Sequence, residues 1–154
     1  MAVNDRGASA ERVVATVDKM RLMLMQGPFE EVDFQVVPDE QALIRSRLRI
    51  LSERPDIDLV LTTGGTGLSF KERTPEATRE VIEREIPGIP EMIRLAGFEN
   101  SYKAAMFRGV CGIRRKCLIV NLPGGPKGVE DTLKAIYEVL QDMVSRVQGE
   151  EIPV

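Results

Sequence analysis

The stretch "LVLTTGGTGLSFKERTPEAT", Leu59 to Thr78, runs from an apolar and β-branched segment through Gly64, Gly65 and Gly67 into Thr-Pro-Glu. Leu59 to Thr63 suits a buried parallel strand. Thr74-Pro75-Glu76 predicts a helix start, with Thr74 as the cap, Pro75 at the first helical position and an acid near the positive end of the dipole. That helix is predicted to run to about Glu85, ahead of Pro87-Gly88. Between strand and helix, Gly64, Gly65, Thr66 and Gly67 form a loop whose backbone turns without a Cβ penalty and whose amides can face an anion. Two nucleotide motifs fail here. A P-loop would need Gly-Lys-Ser/Thr where Leu68-Ser69 stands, and a dinucleotide fingerprint begun at Gly65 would need Gly or Ala where Phe70 stands.

A second glycine loop follows another apolar run. "GVCGI" (109–113) and "KCLIVNL" (116–122) predict two strands around an exposed turn at Arg114-Arg115. "PGGPKG" (123–128) then leads to a closing helix over Val129–Val147. Upstream, Val13, Val14, Val17, Met20 and Leu24 recur at helical spacing over Ala10–Gln26, which Gly27-Pro28 stops. "VDFQVV" (32–37) predicts a strand with Val32, Phe34 and Val36 on one face. "PDEQALIRSRLRILSE" (38–53) predicts a helix capped by Asp39. Helical segments are also predicted over Pro90–Gly97 and Ser101–Met106, and the tail "GEEIPV" (149–154) is predicted to fray.

Alternating strands and helices predict an α/β fold, a doubly wound, mostly parallel sheet with helices on both faces and a first strand that is short or missing. In such sheets ligands bind beyond the carboxyl ends of the strands. Both glycine loops follow strands, so both are predicted at that edge, forming one pocket.

Composition narrows the chemistry. The chain has 154 residues, 43% hydrophobic and 29% charged, with a net charge of −3. This suits one globular domain, 1–154, and argues against a nucleic-acid partner. No apolar run reaches the roughly 18 residues of a membrane span. The first 30 residues lack a secretory signal, so the cytoplasm is the expected location. The absence of histidine excludes a Ser-His-Asp hydrolase and a His-ligated zinc centre. Cys111 and Cys117 fit no zinc spacing and are expected reduced and structural. The Met20, Met23, Met25 group is expected in core or oligomer packing. What remains is carboxylates, Lys, Arg, hydroxyls, amides or a hard metal held by oxygen.

Taken together, "VVPDEQ", "DLVLTTGGTG", "TPEAT", "REIPGIPEMIR" and "GIRRKCLIVNLPGGPKGVEDTL" make the chain resemble the MoaB/Mog family of molybdenum cofactor biosynthesis, the molybdopterin adenylyltransferases. The resemblance implies a doubly wound domain, a homotrimer and transfer of AMP from Mg-ATP to the terminal phosphate of molybdopterin, with hand-over of the product to a molybdenum insertase. A family member that binds molybdopterin without turnover is the alternative. Carried over by position, Asp39 and Glu72 are the candidate catalytic and Mg²⁺-positioning residues. Gly64, Gly65, Thr66, Gly67, Asn121, Pro123, Gly124 and Gly125 are the candidate ligand contacts. Asp39 also reads as a helix cap and Glu72 as a solvated loop charge. Lys71 and Arg73 read as surface charges unless a polyphosphate reaches them.

Two departures stand out. Glu72 replaces the family's usual Asp. Near the amino end, "AVNDRG" is what stands for the end of the family's opening strand, and a late start relative to the family is one expectation. The next loop's usual Gly and Asp fall on Ala10 and Val14, and its Ser-Gly falls on Thr16-Val17. That loop is expected to be missing or rebuilt.

Overall fold

The computed structural model describes residues 1–4 and 9–149. The predicted fraying of the tail beyond Gly149 lies outside them. The elements follow in the order β1 (Ala2–Asn4), α1 (Ala10–Leu24), β2 (Val36–Pro38), α2 (Gln41–Glu53), β3 (Leu59–Thr63), α3 (Thr74–Arg79), β4 (Arg84–Glu85), α4 (Gly88–Phe98), a 3₁₀ turn (Tyr102–Met106), β5 (Cys111–Arg114), β6 (Cys117–Leu122) and α5 (Pro126–Gln148). They build one sheet of order β2-β1-β3-β6-β5-β4, parallel from β2 to β6 and antiparallel over β5 and β4. The predicted α/β architecture with a short first strand is the one observed.

Strand β6 is buried along its whole length. Leu118, Val120 and Leu122 pack with Met20 of α1, Ile89 and Ile93 of α4, and Leu133, Ile136 and Leu140 of α5. Cys117 and Ile119 face the other way, with Ile44, Leu48 and Leu51 of α2 and Ala77 of α3. Alternate residues of one apolar run therefore feed two cores, as a strand covered on both faces must. Burial pushes the Cys111 and Cys117 thiols up to about 12, which leaves both inert as nucleophiles.

Several local expectations are corrected. Strand β2 covers only Val36–Pro38, and its buried residue is Val37, while Val32, Phe34 and Val36 are exposed. A strand extends only as far as its partner, and β1 offers three residues, Ala2 to Asn4. Phe34 lies instead under the Arg21 guanidinium, 4.9 Å from the ring centre. Helix α3 stops at Arg79 rather than near Glu85, because the chain joins the sheet edge: Glu83 N donates to Ile113 O and Ile86 N to Cys111 O, both at 2.8 Å. Arg114 is not an exposed turn residue. Its side chain is 18% accessible and donates to Val81 O at 3.2 Å and to Glu53 at 2.5 Å. Arg115, at φ 51°, makes the turn. Of the three methionines, Met20 is core and Met25 is exposed.

Strand β3 pairs with β6 over its whole length but meets β1 only where Thr63 faces Ala2. A cavity of about 850 Å³ lies along the open flank, lined by Met1, Val17, Phe34, Leu51 and Leu59 among others. The Met1 amine reaches across to donate to Leu61 O at 2.8 Å.

Candidate active site

Strands β3 and β6 are parallel neighbours, so the loops leaving Thr63 and Leu122 emerge side by side. Thr63 Oγ1 donates to Pro123 O at 2.7 Å, and a Cβ placed on Gly124 would sit 3.6 Å from Gly64 Cα. The two glycine loops thus form one surface at the carboxyl edge, as the sequence pattern predicts.

The first loop is held by its carbonyls. Gly64 O accepts from Thr74 Oγ1 at 3.0 Å and Gly65 O from Thr74 N at 3.1 Å. Thr66 O accepts from Arg108 N at 3.2 Å and Gly67 O from Arg108 Nε at 2.8 Å. All four carbonyls are turned toward protein donors. Among the described residues, the amides of Gly65, Thr66, Gly124 and Gly125 donate to no protein acceptor. Backbone amides that no protein acceptor takes are available to an anion. Gly64 and Gly65 hold φ 91° and 69°, which the left-handed turn reserves for glycine. Gly125, at φ 86°, begins α5 with no side-chain cap, and the Arg12 guanidinium lies over it, Nη2 2.5 Å from where a Cβ would be. Positive charge and the amino end of a 23-residue helix meet there.

The two candidate carboxylates flank this surface. Asp39 is not the cap of α2, which begins at Gln41 after Glu40. Its Oδ1 accepts from Arg73 N at 3.0 Å, tying the end of β2 to the start of α3. Thr74 likewise is not a cap. It is the first residue of α3, and its hydroxyl serves Gly64 instead. Glu72 is not a loose loop charge. Its Oε1 accepts from Gly67 N and its Oε2 from Ser69 N, both at 3.0 Å, so it latches the loop from within. The extra methylene relative to Asp gives the carboxylate the reach to close back over its own turn.

Asn121, a candidate ligand contact, is placed beneath the loops at 1% exposure. Its Oδ1 accepts from Val110 N at 2.9 Å, and its Nδ2 donates to Thr62 and Thr78 hydroxyls at 3.0 Å each. It joins β6, the lead into β5, β3 and α3, and so sets where the loops spring from.

Sequence reasoning missed Arg108. Besides the two bonds above, its Nη2 donates to Glu72 O at 3.1 Å and its Nη1 to Glu76 Oε1 at 2.6 Å. Burial opposes ionisation of Glu76, but the Arg108 guanidinium outweighs it and holds the carboxyl below its ordinary range. The hairpin pattern carried the signal. An antiparallel β5 starts at the carboxyl edge of its parallel neighbours, so a cation just before it lands beside the loop.

Mg²⁺ bound with a polyphosphate keeps several waters and takes few protein carboxylates. Among the described residues no group of three or more His, Cys, Asp or Glu side chains converges as a cage. Two carboxylates beside an amide-lined surface fit a cation carried in by its phosphates. Ala10, Val14, Thr16 and Val17, the positions aligned with the family's amino-terminal loop, all lie on α1, capped by Ser9.

The family described as "Probable molybdopterin binding domain" matches residues 2–142. The molybdopterin adenylyltransferase of Escherichia coli K12 is 34% identical over 147 residues, covering 94% of this chain and 75% of that protein. The molybdopterin adenylyltransferase of Helicobacter pylori J99 is 36% identical over 124 residues, 80% of this chain and 70% of that one. The crystal structure of the molybdopterin biosynthesis enzyme MoaB from Thermus thermophilus superposes with a TM-score of 0.88 at 46% identity, covering 97% of this chain and 94% of that one. The sheet, its two apposed glycine loops and these matches lead to one assignment: the chain belongs to the MoaB/Mog family of molybdopterin-binding domains.

Proposed function

We propose that this chain is a molybdopterin adenylyltransferase. A terminal phosphate oxygen of molybdopterin attacks the α-phosphorus of ATP, a new P–O bond forms, and the bond from that phosphorus to the α,β-bridging oxygen breaks, releasing pyrophosphate. The observation that carries the reading is the pair of loops: the carbonyls of Gly64 to Gly67 are held by protein donors, while the amides of Gly65, Thr66, Gly124 and Gly125 donate to no protein acceptor among the described residues. A phosphate nucleophile needs no base, which suits a chain without histidine. Such transfers depend on positioning and charge stabilisation. The amides hold phosphate oxygens, Pro123 shapes the second loop, and Asn121 and Thr63 fix the loops' spacing. Mg²⁺, bound with ATP, supplies charge neutralisation, with Asp39 and Glu72 as its protein neighbours.

The same reading covers the chain's setting. It is one domain, cytoplasmic, and hands its product to a molybdenum insertase. It acts as a homotrimer, supported by exposed Leu95, Phe98, Tyr102 and Met106 on α4 and the turn after it. Light scattering should give about three times 17.1 kDa.

Incubating the protein with molybdopterin, Mg²⁺ and ATP should yield adenylylated pterin and pyrophosphate. Asp39→Asn should lower the rate at least about tenfold with pterin affinity retained, since Asn can still accept from Arg73 N. A second reading is a binding module without turnover. It is favoured by the Glu72 carboxylate, both of whose oxygens are engaged by loop amides. Tight pterin binding with no product would select it.

A further inference from the structure

We propose that Arg108 is the positioning residue of the glycine loop, the group that sets the attitude of the amide surface toward its ligand. This rests on the reading that the loop binds substrate. Four donors of one residue meet four points spread over eleven residues of chain: Thr66 O, Gly67 O, Glu72 O and the Glu76 carboxylate. Thr66 O, held by the Arg108 backbone amide, belongs to the Thr66–Gly67 peptide, and Gly67 O, held by the guanidinium, belongs to the Gly67–Leu68 peptide. Fixing both fixes two consecutive peptide planes and so the path by which the chain leaves Thr66. The other two tie the far end of the loop and the first turn of α3 to the same guanidinium.

The Glu72 latch complements this clamp. Glu72 draws in the Gly67 amide while Arg108 draws in the Gly67 carbonyl. Arg108 in turn holds the Glu72 carbonyl, so the latch residue is itself oriented. Asn121 anchors Val110, two residues beyond Arg108, by two hydrogen bonds with the amide and carbonyl of Val110. The clamp is therefore mounted on the sheet and not on another loop.

Only arginine fits. A guanidinium offers several donors in a fixed planar fork, and lysine offers one ammonium at one point. The Arg108 side chain is 31% accessible and that of Glu76 28%, so solvent reaches the pair and the ion pair alone contributes little. The guanidinium bonds to the Gly67 and Glu72 carbonyls are the part that lysine cannot reproduce.

The test compares Arg108→Gln, Arg108→Lys and Glu76→Gln in the full chain. The first readout needs no substrate: trypsin cleavage after Lys71 and Arg73, inside the clamped loop. Release of the clamp should raise that cleavage about tenfold or more in both Arg108 variants, with cleavage elsewhere unchanged, because local opening governs local proteolysis. The second readout is the split of kcat from KM in adenylyl transfer. Both Arg108 variants should lose about ten- to a hundredfold in kcat. Glu76→Gln should lose much less, and Lys should not rescue. Unchanged loop cleavage in Arg108→Gln overturns the proposal. Rescue by Lys together with a full effect of Glu76→Gln also overturns it, since a plain ion pair would then suffice. Raised loop cleavage with wild-type turnover leaves the clamp standing and overturns the reading that this loop serves the substrate.

Discussion

Thr63 donates its hydroxyl to Pro123 O at 2.7 Å, and this one bond joins two loops that lie 60 residues apart in sequence. The hydroxyl belongs to the last residue of β3 and the carbonyl to the first residue after β6. Replacing Thr63 by Val keeps the shape and the strand propensity but removes the bond. Stability should fall by about 1 kcal/mol. Pterin affinity should fall more than that loss of stability would suggest, because both halves of the surface lose their spacing. Urea unfolding and pterin titration on one preparation separate the two.

The glycines differ in what a side chain would do. Gly65 holds φ 69°, and its added Cβ would meet Thr74 Oγ1, with Asp39 Oδ2 3.0 Å away. Gly65→Val therefore destabilises the fold, by about 1–3 kcal/mol or more, and reports on strain as well as binding. Gly124 meets nothing but Gly64 Cα, at ordinary contact distance. Gly124→Ala should leave stability within about 0.5 kcal/mol of the parent. Ligand affinity should still drop, since the methyl group stands between the two loops. Thermal melts and pterin titration of both variants check this.

Asn121→Ala tests the support beneath the loops. It strands the Val110 amide, takes the donor away from the buried Thr62 hydroxyl, and leaves the Thr78 hydroxyl with only its bond to Thr74 O. A loss of about 2–4 kcal/mol follows from leaving buried groups unpaired. The urea midpoint should move accordingly, even with no ligand present.

The sequence made the strand-loop-helix unit at Leu59–Thr78 and the buried run Cys117–Leu122 legible, because local pattern decides them. A run of apolar residues bounded by glycines reads the same way wherever it sits. Strand β2 was not legible, since its length depends on how much of β1 lies beside it. The Glu72 latch, the bond from Asp39 to Arg73 and the Arg108 clamp were not legible either. Each joins residues through the geometry of a loop, and no spacing rule encodes that. Asn121 is a candidate ligand contact through the family resemblance; its burial and its bond to Thr78, set by strand alternation, could not be read from that.

The Met1 amine gives the fold a pH dependence. Burial lowers its pKa from 8.0 to about 6, so the folded state disfavours the charged form. Between those values the unfolded chain binds the extra proton, and stability therefore rises with pH. The full stability is present above about pH 8, and about 2–3 kcal/mol is lost as the pH falls to about 6. Urea unfolding across this range should show the slope. An amino-terminally acetylated chain, which carries no charge there, should show a flatter profile.

In the proposed reading, the amides of Gly65, Thr66, Gly124 and Gly125, which donate to no protein acceptor among the described residues, hold the phosphate of the pterin. Amide ¹H–¹⁵N shifts measured during titration with molybdopterin test it most directly. Gly65, Thr66, Gly124 and Gly125 should move together and saturate at one concentration. Gly67 and Ser69, held by Glu72, should move far less. Saturable binding that leaves those four amides in place, and shifts residues elsewhere, would contradict it.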